Sequence, residues 1–181
     1  MAEPGQRIAA VAGVPAMGKD VDGNAQHLLA NGHGGFTVSA TFTPAAAAYS
    51  ANDTMDVAKE FADIGPSAAN IRILSSELEI DHTAVIAGET SYRLYIYSIT
   101  PPGAPADNAA WDLPSGDRAS FLGYIDLGTP VDLGSTLYVQ VTDHNKDVKL
   151  ASTSLFGLLV TIGGFTATAA ARKVKLHTVA L

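Results

Sequence analysis

The sequence predicts an all-β fold, an antiparallel β-sandwich of about eight strands with a jelly-roll-like topology. Stretches in which apolar and polar residues alternate recur from Phe36 onward, which is the pattern of strands buried on one face. Clusters of Gly, Pro, Asn and Asp separate these stretches, and no long segment has the periodicity of an amphipathic helix. An immunoglobulin-like sandwich fits the same pattern and stays open as an alternative, because connectivity cannot be read from alternation.

The first three predicted strands lie between Phe36 and Ile80. Apolar and hydroxyl residues alternate from Phe36 to Phe42, and the strand ends before Pro44. Met55 to Phe61 is predicted as a short strand or a helical turn. In the stretch from Ile71 to Ile80 the apolar parity changes at Ser75-Ser76. A one-residue bulge at the serines would put four residues on the core side: Ile71, Ile73, Leu78 and Ile80.

The middle of the chain is predicted to form four further strands. Ser91 to Ile99 is apolar or aromatic on both faces, which is typical of a central strand covered on both sides. Pro101-Pro102 ends it, and a long surface loop runs from there to Asp117. The next three strands are marked by alternating apolar residues: Phe121, Ile125 and Leu127; Leu137, Val139 and Val141; and Phe156, Leu158, Val160 and Ile162.

The last predicted strand has an apolar and a basic face. We expect Val174, Leu176 and Ala180 to point inward. The opposite parity carries Lys173, Lys175 and His177, and we interpret these residues as a solvated sheet edge, since lysines on edge strands block unwanted pairing.

Residues 1–35 differ in composition from the rest. They are rich in Gly, Ala and Asn, end in Gly32, Gly34 and Gly35, and show no sustained periodicity. We expect an extended or flexible N-terminal arm over residues 1–35 and a β-sandwich domain over residues 36–181.

The composition favours assembly with other proteins over nucleic-acid binding. Only 16% of the 181 residues are charged, against about 25% in typical soluble domains. A surface with few charges can be buried against a partner at little desolvation cost. The formal net charge of −7 repels a phosphate backbone, so we predict no nucleic-acid partner. The chain has no cysteine, which excludes disulfides and thiolate metal sites.

The sequence has no predicted secretory signal or membrane span. The first ten residues contain Glu3, Pro4 and Arg7 and lack an apolar core region. The longest apolar stretch, Leu155 to Phe165, is too short and too interrupted by glycine to cross a bilayer. We therefore expect synthesis in a cytoplasm and no membrane partner.

Two N-terminal segments match ligand-binding motifs only in part. Gly13 to Asp20 fits the spacing of a phosphate loop, but Asp20 stands where Ser or Thr must bind Mg²⁺. Asp20 to Asn24 is similar to the start of an EF-hand calcium loop, but the acidic residue that closes such a loop is missing from residues 25–36. Both segments are interpreted as turn-forming parts of the arm.

Polar and acidic groups elsewhere give no catalytic constellation. Asp143 to Asp147 surrounds a histidine with acids, but a polar hairpin tip is the simpler interpretation. Glu77 and Glu79 share one strand face, as a glycosidase pair would, and are interpreted as a solvated face. The histidines lack ligand spacing. We predict no catalytic residue, no metal site and no cofactor.

The aromatic residues of the central strand and the following loop allow two interpretations. Tyr92, Tyr95, Tyr97 and Trp111 provide the ring faces that a sugar-stacking platform needs. Core and intersheet packing is the favoured role, because strand parity turns Tyr92 away from Tyr95 and Tyr97.

Three segments carry a resemblance to a known family. In Thr41–Phe61, Tyr49, Ala51 and Asp53 fill the pattern Y-x-A-x-D, with Asn52 where Gly is frequent. The loop Ala106–Trp111 is close to the pattern P-x-A-D-N-A-A-[FW], and Ser154–Ala170 is similar to a late strand that ends in Thr-Pro, here Thr166-Ala167. Together they resemble a family of small virion proteins encoded by tailed bacteriophages.

The resemblance covers residues 36–181 and implies a virion component, typically a β-sandwich that accompanies the major capsid protein. We therefore hypothesise a capsid decoration, or cement, protein on the capsid surface that assembles as a homotrimer and is not an enzyme. A tail, neck or fibre component is the first alternative. A carbohydrate-binding jelly roll, which would use Tyr95, Tyr97 and Trp111, is the second.

Overall fold

The computed structural model describes residues 17–19, 25–27 and 35–181. The chain divides into two compact units, with the boundary between Gly34 and Gly35. In the first unit, β1 (Met17–Lys19) pairs with β2 (Ala25–His27) in antiparallel fashion. The rest of the predicted arm lies outside the described residues, as do the Asp20–Asn24 segment and most of the segment Gly13–Asp20.

The second unit is an antiparallel β-sandwich, as predicted. A six-stranded sheet has the order β3-β14-β6-β10-β9, with β11 also paired to β6, and a four-stranded sheet has the order β5-β12-β7-β8. A small ladder joins β4 to β13. The strands are β3 (Gly35–Phe42), β4 (Ala48–Tyr49), β5 (Lys59–Phe61), β6 (Asn70–Ile80), β7 (Tyr92–Tyr97), β8 (Phe121–Gly128), β9 (Val131–Asp132), β10 (Leu137–Val141), β11 (Lys146–Lys149), β12 (Leu155–Thr161), β13 (Phe165–Thr166) and β14 (Arg172–Ala180). The described residues contain no helix long and apolar enough to span a bilayer.

The pairing of the main strands is that of a jelly roll. Both β10 and β11 pair along β6, so they act as one interrupted strand. The sandwich then has eight main strands, when the two-residue strands β4, β9 and β13 are left out. The first main strand pairs with the last (β3 with β14), and the second with the seventh (β5 with β12). The third pairs with the sixth (β6 with β10–β11), and the fourth with the fifth (β7 with β8). This nested order confirms the predicted topology and excludes the immunoglobulin-like alternative.

The main core lies between the two sheets and is built by alternation. Every second side chain of β14 points into it, and so does every second side chain of β6 on either side of a bulge. Each such Leu, Ile or Phe stabilises the fold by about 1.5–3 kcal/mol when fully buried. The strand residues of this core include Phe42, Phe61, Ile71, Ile73, Leu78, Ile80, Leu94, Ile96, Ile125, Leu127, Leu155, Leu159, Val174 and Leu176.

The predicted bulge in β6 is present, one residue before the predicted place. Ser75 pairs with His177 and Ile73 pairs with Thr178, so Leu74 is the extra residue. Leu74 is exposed, while the four predicted core residues of this strand are at most 1% exposed. The extra residue therefore lets the apolar side chains before and after it face the same core, although their parity in the sequence differs.

The last strand is not at a sheet edge, and the edge interpretation of its lysines is wrong. β14 lies between β3 and β6 in the six-stranded sheet. Lysines are tolerated there because glutamates of β6 face them, as described below. Val174 and Leu176 point inward as predicted, but Ala180 is only half-buried, and Arg172 is fully buried instead.

A second apolar cluster covers the outer face of the four-stranded sheet. Leu158 and Val160 of β12 are fully buried in it, and Phe156 packs against it. Phe121 also joins it, whereas Ile125 and Leu127 of the same strand point into the main core. The strand that these three residues predict is present, and Phe121 lies on the opposite face from the other two because the pairing of β8 with β7 shifts register between Ile96 and Tyr97.

Candidate functional site

The carboxylate of Asp107 connects two loops that are far apart in the sequence. Its Oδ1 accepts hydrogen bonds from the Tyr49 hydroxyl at 2.7 Å and from the backbone N–H of Asp56 at 2.6 Å. Its Oδ2 accepts one from the backbone N–H of Ala45 at 2.9 Å. Burial alone would raise the pKa of Asp107, but these bonds and one from Asn108 outweigh it and hold the pKa below its ordinary value. Burial and the Asp107 carboxylate together raise the pKa of Tyr49.

Backbone hydrogen bonds join the same two loops. Asn108 donates to Thr54 and Trp111 donates to Asn52, each at 2.8 Å, and Thr54 donates to Ala109 at 2.8 Å. Asn52 and Asn108 adopt φ values of 68° and 61°, in the left-handed region that asparagine tolerates better than most residues. The Y-x-A-x-D segment and the loop Ala106–Trp111 therefore form one hydrogen-bonded unit.

The third segment of the family resemblance meets this unit. β13 pairs with β4, so Phe165 lies opposite Tyr49, and their rings stack with centroids 6.4 Å apart. Ala167 donates a backbone hydrogen bond to Ala47 at 2.8 Å. We name the three joined segments the loop junction. It fixes loops at one end of strands β4 and β13. Its polar groups form hydrogen bonds with one another.

The aromatic residues of the alternative sugar-stacking interpretation are covered by the protein itself. The ring of Trp111 stacks on Tyr95 with centroids 3.9 Å apart and an interplanar angle of 17°. Tyr95 is 6% exposed, and Tyr97 is fully buried. The segment after Pro101 is thus not a purely surface loop, since Ala104, Trp111 and Leu113 pack on the outer cluster. Packing, the favoured interpretation of these aromatic residues, is what the structure shows.

The polar face of the six-stranded sheet carries a ladder of paired charges. Lys175 Nζ lies 2.5 Å from Glu77 Oε2 and 3.5 Å from Glu79 Oε1. His177 Nε2 lies 2.9 Å from the other Glu77 oxygen, and Lys173 Nζ lies 3.6 Å from Glu79. The hydrogen bond from Lys175 is the main cause that lowers the pKa of Glu77, and it raises the pKa of Lys175. The glutamates, predicted as a solvated face, are therefore paired with β14, and we call this set the charge ladder.

The segment Asp143–Asp147 is not a hairpin tip, which corrects the prediction. It spans the interruption between β10 and β11 and the first two residues of β11, and both strands run along β6 instead of pairing with each other. His144 Nε2 lies 2.8 Å from Ser76 Oγ, and Asp147 forms a two-pronged pair with Arg72 at 2.5 and 2.9 Å. Within the described ranges, no group of three or more His, Cys, Asp or Glu residues is placed to hold a metal ion.

A buried ionic network was missed by the sequence analysis. The side chains of Arg172 and Glu89 are each 1% exposed, and Arg172 Nη2 lies 3.3 Å from Glu89 Oε1. Arg172 also donates to Tyr92 Oη at 3.2 Å and to the Ala170 carbonyl at 2.9 Å, and the Tyr92 hydroxyl donates to Glu89. Burial raises the pKa of Tyr92. No local pattern signals this network, because Arg172 is 80 residues from Tyr92 and 83 residues from Glu89 in the sequence.

Comparisons with known proteins find solved virus structures at low similarity. No protein-family model matches the chain, and no curated protein matches it. The chain is similar to the structure of Tomato Aspermy Virus at 8% identity and a TM-score of 0.36, over 80% of this chain and 76% of that one. It is similar to the structure of the infectious bursal disease virus Gx strain at 10% identity and a TM-score of 0.32, over 93% of this chain but only 37% of that one. For Cocksfoot mottle virus the identity is 10% and the TM-score is 0.25, over 81% and 95% of the two chains. Identities and scores this low support no functional assignment.

Proposed function

We propose that this chain is a non-enzymatic structural protein of a tailed-bacteriophage virion, of the capsid decoration or cement type. The observation that supports it best is the loop junction. Three segments were matched to the phage family separately, and they contact one another through Tyr49, Asp107 and Phe165. The residues that carry the resemblance thus form one structural unit, as parts of one conserved scaffold would.

The surface of the sandwich suits attachment to other proteins. On the charge ladder, the cations of β14 are already paired with the glutamates of β6, so covering this face leaves few unpaired charges to desolvate. The proposed partners are the major capsid protein and further copies of this chain. A trimer is proposed because capsid shells offer three-fold positions to a symmetric oligomer.

The proposed mechanism is stabilisation by mass action. A protein that binds the assembled shell but not free capsid subunits shifts the equilibrium away from disassembly, by an amount that grows with its concentration relative to the Kd. The first unit of the chain, up to Gly34, is proposed to reach across neighbouring capsid subunits.

Co-sedimentation tests the proposal. Full-length protein is mixed with purified expanded heads and, separately, with purified tails of the same phage. Saturable binding to heads at a ratio set by capsid symmetry is the expected result. Binding to tails alone would replace the cement role with the alternative of a tail, neck or fibre component, and binding to neither would refute the virion proposal.

A truncated chain tests the role assigned to the first unit. Removal of residues 1–34 leaves β3 intact, since this strand begins at Gly35. We expect the truncated protein to keep the circular-dichroism spectrum of a β-sandwich but to bind heads more weakly. Equal binding by the truncated and full-length proteins would show that the first unit does not contribute to attachment.

A further inference from the structure

An open cleft lies where the edge of the four-stranded sheet meets the interrupted strand of the other sheet. Its volume is about 420 Å³, within the range of about 300–1,000 Å³ that small-molecule sites occupy. Tyr124 and Asp126 of β8 form one side, and Asp143, His144 and Lys146 form the other. The cleft is separate from the loop junction and the charge ladder.

Tyr124 presents a fixed but accessible aromatic ring. It is 46% exposed. The Arg93 guanidinium lies 4.1 Å from its ring centroid, and Tyr95 packs against it with centroids 5.6 Å apart. Arg93 is itself fixed by Asp126, whose Oδ1 lies 2.8 Å from Arg93 Nε. A ring held in place by its neighbours loses little conformational entropy when a ligand packs on it.

The charges around the cleft balance. Asp126 and Asp143 are negative, and Arg93 and Lys146 are positive, so two charges of each sign leave no net charge. Burial lowers the pKa of His144, which keeps this imidazole neutral at pH 7. A charged ligand gains no net attraction here, whereas a neutral ligand with many hydroxyl groups finds both acceptors and donors.

Gly123 makes room for the lysine. A Cβ atom at this position would lie 2.9 Å from Lys146 Nζ, so a side chain there would displace the ammonium group. The backbone of Gly123 also has a φ of 94°, which side-chain-bearing residues rarely adopt. The glycine therefore leaves room for the Lys146 ammonium group beside β8, the strand that carries Tyr124.

We propose that this cleft binds a neutral saccharide of one or two rings. The C–H face of a sugar ring packs on the electron-rich face of Tyr124. The carboxylates of Asp126 and Asp143 accept hydrogen bonds from sugar hydroxyls, and Lys146 donates to them. This site replaces the covered platform of Tyr95 and Trp111, and it does not depend on the proposed virion function.

Nuclear magnetic resonance of the ¹⁵N-labelled full-length chain tests this site. The probes are glucose, galactose, N-acetylglucosamine and lactose, with glucuronic acid as the anionic comparison. We expect at least one neutral sugar to shift the backbone amide signals of Tyr124, Asp126 and Lys146 in a saturable way, with a Kd in the millimolar range. Absence of saturable shifts with every neutral probe, or binding of glucuronic acid alone, would overturn the proposal.

Matched variants test whether the shifts of the amide signals arise from sugar bound in the cleft. Tyr124→Ala is expected to abolish the shifts or to weaken binding at least tenfold. Tyr138→Ala, which removes a tyrosine from the other sheet, is expected to leave them unchanged. Lys146→Ala is a second test that leaves the aromatic side of the cleft intact, and it is expected to weaken binding severalfold. Sugar binding that survives both cleft substitutions at full strength would show that the ligand lies elsewhere.

Discussion

Substitution of Asp107 by asparagine is expected to destabilise the sandwich by about 2–4 kcal/mol. Besides the bond from the adjacent Asn108, the carboxylate accepts three hydrogen bonds from residues far along the chain, two on Oδ1 and one on Oδ2. Asparagine keeps the size of the side chain but turns one acceptor oxygen into an NH₂ donor. Even in its better orientation, the amide nitrogen then faces the backbone N–H of Ala45, and two donors oppose each other.

The magnitude follows from the bonds that are lost or weakened. A hydrogen bond to a charged group contributes about 1.5–3 kcal/mol, and one such bond disappears in the variant. The bonds from Tyr49 and Asp56 remain, but they lose the charge that makes them about twice as strong as neutral ones. A loss of about 3 kcal/mol corresponds to a fall in Tm of roughly 10 °C for a chain of this size.

Urea denaturation of the full-length protein, followed by circular dichroism, measures this loss. Asp112→Asn is the matched control, because Asp112 is exposed in the same loop and, among the described residues, its carboxylate accepts a hydrogen bond only from the adjacent N–H of Leu113. This control is expected to change the free energy of unfolding by less than about 0.5 kcal/mol. If Asp107→Asn destabilises the protein no more than Asp112→Asn does, the loop junction is not held by the carboxylate.

The pH dependence gives a second test of the same group. The pKa of Asp107 in the folded protein is below its ordinary value of 3.8. A carboxyl group with a lowered folded pKa contributes stability that is present above its unfolded pKa and is lost as the pH falls through the folded pKa. The stability difference between wild type and Asp107→Asn should therefore be constant near neutral pH and shrink below about pH 4. A difference that persists unchanged into strong acid would contradict the assigned role of the charge.

Three other sites are expected to respond to substitution in ways that denaturation can measure. Arg172→Met leaves the buried Glu89 carboxylate without its cation and should lower the free energy of unfolding by about 3–5 kcal/mol. A variant that removes both charges should recover part of this stability. If it recovers none, the ion pair is not the cause of the loss. Gly157→Ala places a Cβ atom 2.8 Å from a core methyl carbon and should cost about 1–3 kcal/mol, whereas Gly116→Ala, with no atom within 4 Å, should have little effect. Glu77→Gln should lower the free energy of unfolding by about 0.5–1 kcal/mol at low salt and by less at high salt, since it removes the carboxylate that pairs with Lys175. A loss of stability that does not depend on salt would argue against an ionic origin.

The strands of the sandwich could be predicted because alternation is a local signal. In β6 the sequence shows even the position of the bulge to within one residue, since Ile71 and Leu78 cannot both face the core without it. The same reasoning identified β7 as a strand covered on both faces. Each of these inferences needs only residues that are close together in the chain.

The pairing of the strands could not be predicted, because it depends on residues far apart in the chain. Lysines at alternate positions of β14 look like edge protection when the strand is considered alone. Only the pairing with β6 shows that Lys175 faces Glu77, and so explains why these lysines lie in the interior of a sheet. Pairs of opposite charges on neighbouring strands stabilise a sheet, but alternation in the sequence does not show which strands are neighbours. The buried pair of Arg172 and Glu89 was missed for the same reason.

The loop junction explains why the family resemblance lies in loops. A strand accepts many sequences that keep the alternation of apolar and polar residues. Loops are less tolerant where one position needs a positive φ, as at Asn52 and Asn108, or a side chain with several acceptor sites, as at Asp107. The residues that carry the resemblance are therefore ones with such local requirements. Because these residues hold the scaffold together, the surfaces proposed to bind partners are others, namely the charge ladder and the cleft beside Tyr124.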